Sequence, residues 1–540
     1  MRVAVSLALL ASAAQQALAA CEPEIPFPPP QYTGDSLVEA FAQVDASLAA
    51  LVAAGGFDDT SFSVMVASSD RLLHSAFHAA PGVAQPVNAS SAYRIASNTK
   101  LFTALGILQA EAAGHLSLDD RITTFLPDLR HTAGRIAWDT ITLRTLMAHL
   151  SGIPDNCNPP PQKKEFERRR LTQVDAEDDL LLRFLEQATP VFPARDETSY
   201  SNLGYNLLGL VLERISNTTY EEYIEATILR PLNLTGTCFT PPATGVVVAD
   251  SYWGVDLGEG NPSGGLYSSA TDMIAFLRFA LAQHNRITPA LNWFLPAAYS
   301  AGAHSYFGYP WEIFRSPAIL PHSTRAVTLN TKGGGLTGYY TYSFVVPVYD
   351  LVIFLGVAGE LTGLTDLLDA VVDPILVGAE GVAQRHLATT YAGTYRAPAA
   401  TGLNSSLTIA QSPQRSLSVS AWVSNGTDVL DVLVPLVAGE EGSGDDIYFE
   451  FLPTFETRTT TADGAVGEVW RVINVLEGAG GDTATRGNAS SIWADYCVSN
   501  IDPLTYAGVA LNEMVFWRAN ATAAVHAVEL SAFRVVLDKE

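Results

Sequence analysis

Between Ser36 and Ala54 apolar residues recur at Leu37, Phe41, Val44, Leu48 and Leu51, a spacing that predicts one amphipathic helix. The texts SFSVMVASS and RLLHSAFH that follow predict two strands. Helical patterns then dominate, punctuated by Gly114 and the Pro154–Pro161 region, and resume from Gly204 to Leu232. From Tyr306 the chain turns to strands: FGYPWEIFR, AVTLNTK, YYTYSFVVPV and DLVIFLGVAG. A helix is expected at Leu361–Leu376. The apolar stretch from Tyr339 to Gly359 is interrupted by Pro347 and Asp350 and is rich in Val, Tyr and Phe. It predicts two buried strands with a turn, not a membrane-spanning helix.

After about Gly381 the pattern changes to short strands separated by Gly, Ser and Asp turns: YAGTYRA, SSLTIAQ, SLSVSAWV, DIYFEFLP and EVWRVINV. The chain therefore divides into a mixed α/β unit over residues 36–380 and a separate all-β unit over 386–540, a barrel or a sandwich. Residues 20–35 are a proline-rich lead-in. Residues 1–19 carry Arg2, an apolar stretch and Ala17-Leu18-Ala19, the form of a secretory signal peptide.

Composition narrows the function. Of 540 residues 31 are basic and 56 acidic, a net charge of −25, which argues against a nucleic-acid partner. Asn-x-Ser/Thr sequons stand at Asn88, Asn217, Asn233, Asn404, Asn425, Asn488 and Asn520. Roughly one Asn in eight should carry such a sequon by chance, so their density suggests a glycosylated secreted protein. In an oxidising compartment Cys21, Cys157, Cys238 and Cys497 are disulfide candidates. Three connectivities are open, and Cys157–Cys238 with Cys21–Cys497 is the preferred pairing. No two cysteines are close enough for a zinc knuckle, no HExxH occurs, and neither metal nor cofactor is expected.

The chain has only five lysines, which makes lysine-containing motifs informative. Ser97-Asn98-Thr99-Lys100 precedes the helical run LFTALGILQAEAAG, so Ser97 and Lys100 fall one turn apart at a helix start. Such a serine faces free N–H groups that favour developing negative charge, and a lysine in a dry pocket can handle its proton. Tyr200-Ser201-Asn202 lies in an extended segment, where residues two apart point the same way. A tyrosine beside two lysines can act as a general base. Lys332-Gly333-Gly334-Gly335 follows a strand, where glycines let a substrate approach and a backbone N–H reach a carbonyl oxygen. Each motif alone also fits a bland role, as N-cap, buried tyrosine or hairpin turn.

The order Ser-x-x-Lys, Tyr-x-Asn, Lys-x-Gly resembles the penicillin-recognising serine enzymes, closest to class C β-lactamases and serine D-alanyl-D-alanine carboxypeptidases. ITLRTLMAHLSGIPD, GYNLLGLVLERISNTTYEEYI, ILRPLNLTGT and GGLYSSATDMIAFL resemble the same family, over roughly residues 36–380. The whole arrangement is similar to secreted fungal β-lactamase-like proteins with an appended β domain. The resemblance implies an α+β domain with a central antiparallel sheet built from N- and C-terminal strands. It implies Ser97 as acylated nucleophile, Lys100 as its proton partner and Tyr200 as the base for the deacylating water. Asn202 would hold the substrate amide or the lysine, and Lys332 would order the site electrostatically. The N–H groups of Ser97 and Gly335 would form the oxyanion hole.

Two departures bear on specificity: Gly333 stands where many relatives have Thr, and Pro193-Ala194 where relatives often have Pro-Gly. The expected activity is hydrolysis of an amide or ester in a small molecule or peptide. Acyl transfer in a natural-product pathway, or binding without catalysis on the same fold, are the alternatives. A binding protein would be marked by loss of Ser97, Lys100 or Tyr200, and all three are present. No Gly-x-Ser-x-Gly occurs, and His149 in AHLSGIP reads as structural.

Overall fold

A computed structural model of the chain describes residues 26–540 apart from 82, 84, 133, 157–184, 186–187, 248–250, 322, 324, 360–362, 413–415, 439–446, 461–463, 477–504 and 507. The signal segment, Cys21, Cys157, Cys497 and Asn488 lie outside the described residues. Two compact units emerge. One comprises Phe41–Ser316 and Thr328–Pro374, the other Met1–Ala40, Pro317–Val327 and Ile375–Glu540.

The first unit is organised by one sheet. Its strands are β1 (Ser61–Ala67), β2 (Leu72–His78), β5 (Ala298–Tyr299), β6 (Ser305–Phe307), β7 (Glu312–Ser316), β8 (Val327–Leu336), β9 (Tyr339–Val346) and β10 (Leu351–Ala358), while β3 (Ala92–Arg94) and β4 (Tyr267–Ser269) form a separate pair. The order is β2-β1-β10-β9-β8-β7-β6-β5, so the N-terminal hairpin closes onto the late strands, Val64 opposite Leu355. The apolar run of residues 339–359 forms β9 and β10, joined at Pro347–Tyr349. β1 and β10 are buried at every position; β10 is accordingly an almost unbroken apolar run, LVIFLGVA, whereas β1 also buries Ser61 and Ser63.

The helical layer centres on Thr99–Ala112, whose Leu101, Phe102, Leu105, Ile107 and Leu108 are all inaccessible to solvent. A helix apolar on most sides has to lie inside the fold. Phe102 stacks on Phe276 of the Ala270–Gln283 helix with ring centroids 4.1 Å apart. That second helix begins at Ser269, whose side chain caps the Asp272 N–H. The stacked pair joins the Thr99–Ala112 helix to the helix lying on β1 and β10.

The helix expected at Leu361–Leu376 runs instead from Leu364 to Thr390, and the division between the units falls inside it. A Cβ at Gly378 would come within 2.8 Å of Ala40 Cβ, so this glycine serves close packing within a continuing helix.

The second unit is a closed antiparallel barrel. Its strands are β11 (Gly393–Arg396), β12 (Ser406–Gln411), β13 (Leu417–Ser424), β15 (Ile447–Thr459), β16 (Val466–Leu476), β19 (Glu513–Arg518), β20 (Val525–Leu530) and β21 (Val535–Lys539), with β14 (Thr427–Asp428) added at one edge. A small hairpin pairs β17 (Thr505–Tyr506) with β18 (Val509–Ala510). The β12–β13 pairing closes the ring and removes the exposed edges of an open sheet. Trp470, Phe451, Phe516, Tyr391 and Tyr395 fill it. The all-β expectation needs one correction: Leu430–Ala438 is helical. Its text LDVLVPLVA is a short apolar run of the kind whose periodicity does not separate strand from helix.

Candidate active site

Ser97 sits in a tight turn, Ala96–Asn98, which leads directly into the Thr99–Ala112 helix. Ala96, just before it, has φ of 48°, a left-handed conformation that costs an L-residue about 1 kcal/mol or more. The surrounding bonds hold it there. Asn98 Nδ2 donates to Thr341 Oγ1 at 2.8 Å, and Thr341 Oγ1 donates to the Ile95 carbonyl at 2.9 Å. Gly334 lies against the same turn, where a Cβ would overlap the Ile95 carbonyl and sit 2.6 Å from Thr341 Oγ1. The absence of a side chain at Gly334 thus lets β8 press against the turn that carries Ser97.

The structure brings Lys100, Tyr200, Asn202 and Lys332 around Ser97. Lys100 Nζ donates to Ser97 Oγ at 3.1 Å, to Asn202 Oδ1 at 2.5 Å and to the Ser263 carbonyl at 2.7 Å. These three acceptors match the three N–H bonds of an ammonium. Burial nevertheless lowers the Lys100 pKa, with Lys332 adding to the effect. Tyr200 lies between the two lysines, with Lys100 Nζ 5.0 Å and Lys332 Nζ 5.3 Å from its ring centroid, and the nearby Ser97 hydroxyl also favours its charged form. Burial opposes the phenolate, but the two lysines outweigh it and hold the Tyr200 pKa below that of an ordinary phenol. Lys332 is also buried, which disfavours its charge, yet Glu312 and Tyr200 together push its pKa up.

Local structure explains these positions. Ser201 caps the Asn202–Ser216 helix by accepting from the Gly204 N–H. Tyr200 lies just outside the helix and Asn202 opens it, so Asn202 belongs to a helical first turn. Asp155 and Asn156 orient Asn202, each accepting from its Nδ2 at 3.0 Å. His149 stacks on Tyr200 at 4.4 Å. Its Nδ1 accepts from the Ser201 N–H, and burial, then the two lysines, drives its pKa well below the usual imidazole value. A neutral ring that packs against the phenol agrees with the structural role expected for it.

On β8, Gly333 N–H donates to Glu312 Oε2 at 2.8 Å, on the edge away from β9. N–H groups two apart in a strand point to the same side, so the Gly335 N–H faces that edge too. The sequence did not reveal Glu312. It reads as one polar position in FGYPWEIFR, and only the pairing of β7 beside β8 brings it to Lys332 at 2.5 Å. Asp155, Asn156 and Ser263 were missed for the same reason: their roles depend on contacts distant in sequence.

Elsewhere, Asn88, Asn217, Asn233, Asn404, Asn425 and Asn520 are all exposed. Cys238 is a free thiol that donates to the Thr240 carbonyl at 3.1 Å, so the expected Cys157–Cys238 bridge is not formed. Among the described residues no cluster of His, Cys, Asp and Glu is arranged to hold a metal, and no helix is long and apolar enough to cross a membrane.

Comparison with known proteins places this geometry. A "Probable hydrolase M10" from Phoma sp. is 34% identical, the match covering 96% of this chain and 91% of that protein. "Probable hydrolase clz13" from Cochliobolus lunatus is 32% identical over 99% of this chain and 94% of its own length. Among solved structures, a D-stereospecific amidohydrolase from Streptomyces sp. has a TM-score of 0.52 at 22% identity, covering 61% of this chain and 98% of its own. A class C beta-lactamase in complex with cefoxitin has a TM-score of 0.51 at 19% identity, covering 63% and 99%. These two likenesses are of fold. Residues 383–540 match the family described as "Beta-lactamase-like-like, C-terminal domain". Residues 45–370 match the family described as "Beta-lactamase", and the chain belongs to that family of hydrolase fold.

Proposed function

We propose that this chain is a serine hydrolase that cleaves an ester or amide through an acyl-serine at Ser97. The observation that carries the reading is the cluster around Ser97: Lys100 Nζ donates to its hydroxyl at 3.1 Å, and Tyr200, a phenol of lowered pKa, lies between Lys100 and Lys332 with their Nζ atoms 5.0 and 5.3 Å from its ring centroid. Lys100, with three acceptors around Nζ, holds Ser97 and Asn202 in place as a cation. Tyr200 is then the group positioned to take the serine proton. Ser97 Oγ bonds to the acyl carbon, the bond to the departing oxygen or nitrogen breaks, and the Tyr200 proton passes to the leaving group. The N–H groups of Ser97 and Gly335 face the developing oxyanion. Water then attacks the acyl carbon while Tyr200 accepts its proton. The acyl bond to Oγ breaks, and the serine recovers the proton.

The exposed sequons and the N-terminal segment support a secreted, glycosylated enzyme; loss of mass on treatment with a glycosidase checks the glycans. The catalytic reading is tested by incubating the protein with a fluorophosphonate and with an aryl acetate, then measuring intact mass. Both should add one group on Ser97, and Ser97→Ala should add none. Removing one oxyanion donor typically costs about 10²–10³ in rate, and loss of the nucleophile should cost more. Turnover that survives Ser97→Ala would place the chemistry elsewhere.

A further inference from the structure

We propose that Glu312 is a charge filter beside the nucleophile, so that the enzyme takes esters or amides whose departing half carries no carboxylate next to the scissile bond. The inference rests on the acyl-serine reading above and names the substrate class of that site. Lys332 is the cation an anionic substrate would seek, but it is sealed. Its side chain is 1% exposed, whereas that of its partner Glu312 is 33% exposed. Of the pair, the carboxylate is therefore the group that a solute can reach from solvent.

Both oxygens of Glu312 are committed. Oε1 accepts from Lys332 Nζ at 2.5 Å, and Oε2 accepts from the Gly333 N–H at 2.8 Å. Lys332 Nζ also donates to the Gly333 carbonyl at 2.7 Å. Gly333 supplies no hydroxyl, and its missing side chain does not leave room for an anion. A Cβ there would lie 3.3 Å from Glu312 Oε2 and 3.3 Å from Tyr342 Cε1. Lys100 is fully buried, and its partners are Ser97, Asn202 and Ser263. The side chains nearby are uncharged aromatics: Tyr342 against Gly333, Tyr340 beside Gly335, and Phe314, exposed, two residues along β7. A like charge brought within a few ångströms of a half-exposed carboxylate is repelled strongly enough to change binding by tenfold or more.

The test compares two acetyl donors of the same shape, meta-acetoxybenzoate and its uncharged isostere meta-acetoxybenzamide. Each would acetylate Ser97 and release a meta-substituted phenol. For the wild-type enzyme kcat/KM should favour the benzamide by about tenfold or more. In Glu312→Gln that preference should shrink to about two- or threefold, through a gain on the benzoate. A wild-type ratio near one overturns the filter without recourse to any variant. So does a Glu312→Gln protein, folded by circular dichroism, that keeps the full preference. Equal acetylation of Ser97 by both donors removes the filter and leaves the acyl-serine reading intact. Failure of both donors, together with no fluorophosphonate adduct on Ser97, removes both.

Discussion

Tyr200 beside Ser97 and Tyr391 in the barrel unit both lie against charged side chains, yet their acidities move in opposite directions. Tyr391 donates to Glu468 Oε2 at 2.6 Å and accepts from Arg518 Nη2 at 3.2 Å. Burial pushes its phenol far up, Glu468 adds to the rise, and a single arginine does not offset them. At Tyr200 burial acts in the same sense, but two lysines face the ring oxygen and the pKa falls. The difference lies in the charge count. Tyr391 has one cation and one carboxylate that accepts its proton. Tyr200 has two cations, with Glu312 engaged by Lys332. The first arrangement makes a structural donor that stays protonated; the second favours the charged form that the proposed proton transfer needs.

Tyr200→Phe should give the largest effect among changes that test this comparison. Removing the phenol takes away the proposed acceptor for the serine proton, and loss of a general base typically costs about 10²–10⁴ in rate. In the wild type a group of lowered pKa must lose its proton to act. The rate should therefore rise with pH along a limb whose midpoint lies below the ordinary phenol value. Tyr200→Phe should abolish that limb, and a pH–rate profile that keeps it would assign the limb to another group.

Gly334→Ala should come next. Its added Cβ would overlap the Ile95 carbonyl and crowd Thr341 Oγ1, forcing β8 away from the nucleophile turn and Lys332 away from Tyr200. We expect a loss of about 2 kcal/mol or more in unfolding free energy, as for other overpacked core sites, with turnover reduced at least tenfold at neutral pH. Gly335→Ala is the control. Its Cβ would meet nothing closer than 3.6 Å, so stability should change by no more than about 0.5 kcal/mol. Equal responses from the two variants would refute the packing argument.

The two tyrosines also mark what sequence carried and what it did not. Scarce lysine made Ser97-x-x-Lys100 and Lys332-Gly333-Gly334-Gly335 stand out, because both motifs are local and the structure brings both to Tyr200. Glu312 escaped because its role depends on the neighbour relation of β7 and β8, twenty residues apart by the hydrogen bond from Lys332. The Tyr391–Glu468–Arg518 set escaped for a stronger version of the same reason, since its members come from a helix end and two barrel strands. Strand alternation announced the β unit, but closure by β12 on β13 is a register that no single segment specifies.

Lys332→Gln probes the charge count directly, with a smaller expected loss. Taking away one of the two cations leaves Tyr200 facing burial and Glu312 with only Lys100 to oppose them, so its pKa must rise. The rising limb of the pH–rate profile should move to higher pH. Turnover near neutrality should fall by about 10- to 100-fold, since each pKa unit is a factor of ten in the reactive form. Much of that loss should return as the pH is raised. A uniform loss at every pH would mean that Lys332 holds geometry and does not tune Tyr200.

Tyr391→Phe should have the smallest effect on turnover and completes the contrast. Tyr391 is 1% exposed, and its hydroxyl gives one hydrogen bond to a carboxylate that Arg518 Nε also reaches at 2.8 Å. Phenylalanine keeps the ring packed against Trp470 and Phe516, with centroids at 5.0 and 5.1 Å, and removes only the hydroxyl. Glu468 retains its arginine, so no buried charge is left alone. A hydrogen bond to a charged group contributes about 1.5–3 kcal/mol, and the partner that remains should keep the loss near the lower end. Denaturant unfolding should therefore report a decrease of about 1–2 kcal/mol, while acetylation of Ser97 stays within about twofold of wild type and the rising pH limb keeps its midpoint. A shifted midpoint would show that Tyr200 is not the only phenol that sets the proton chemistry, and the contrast between the two tyrosines would fail.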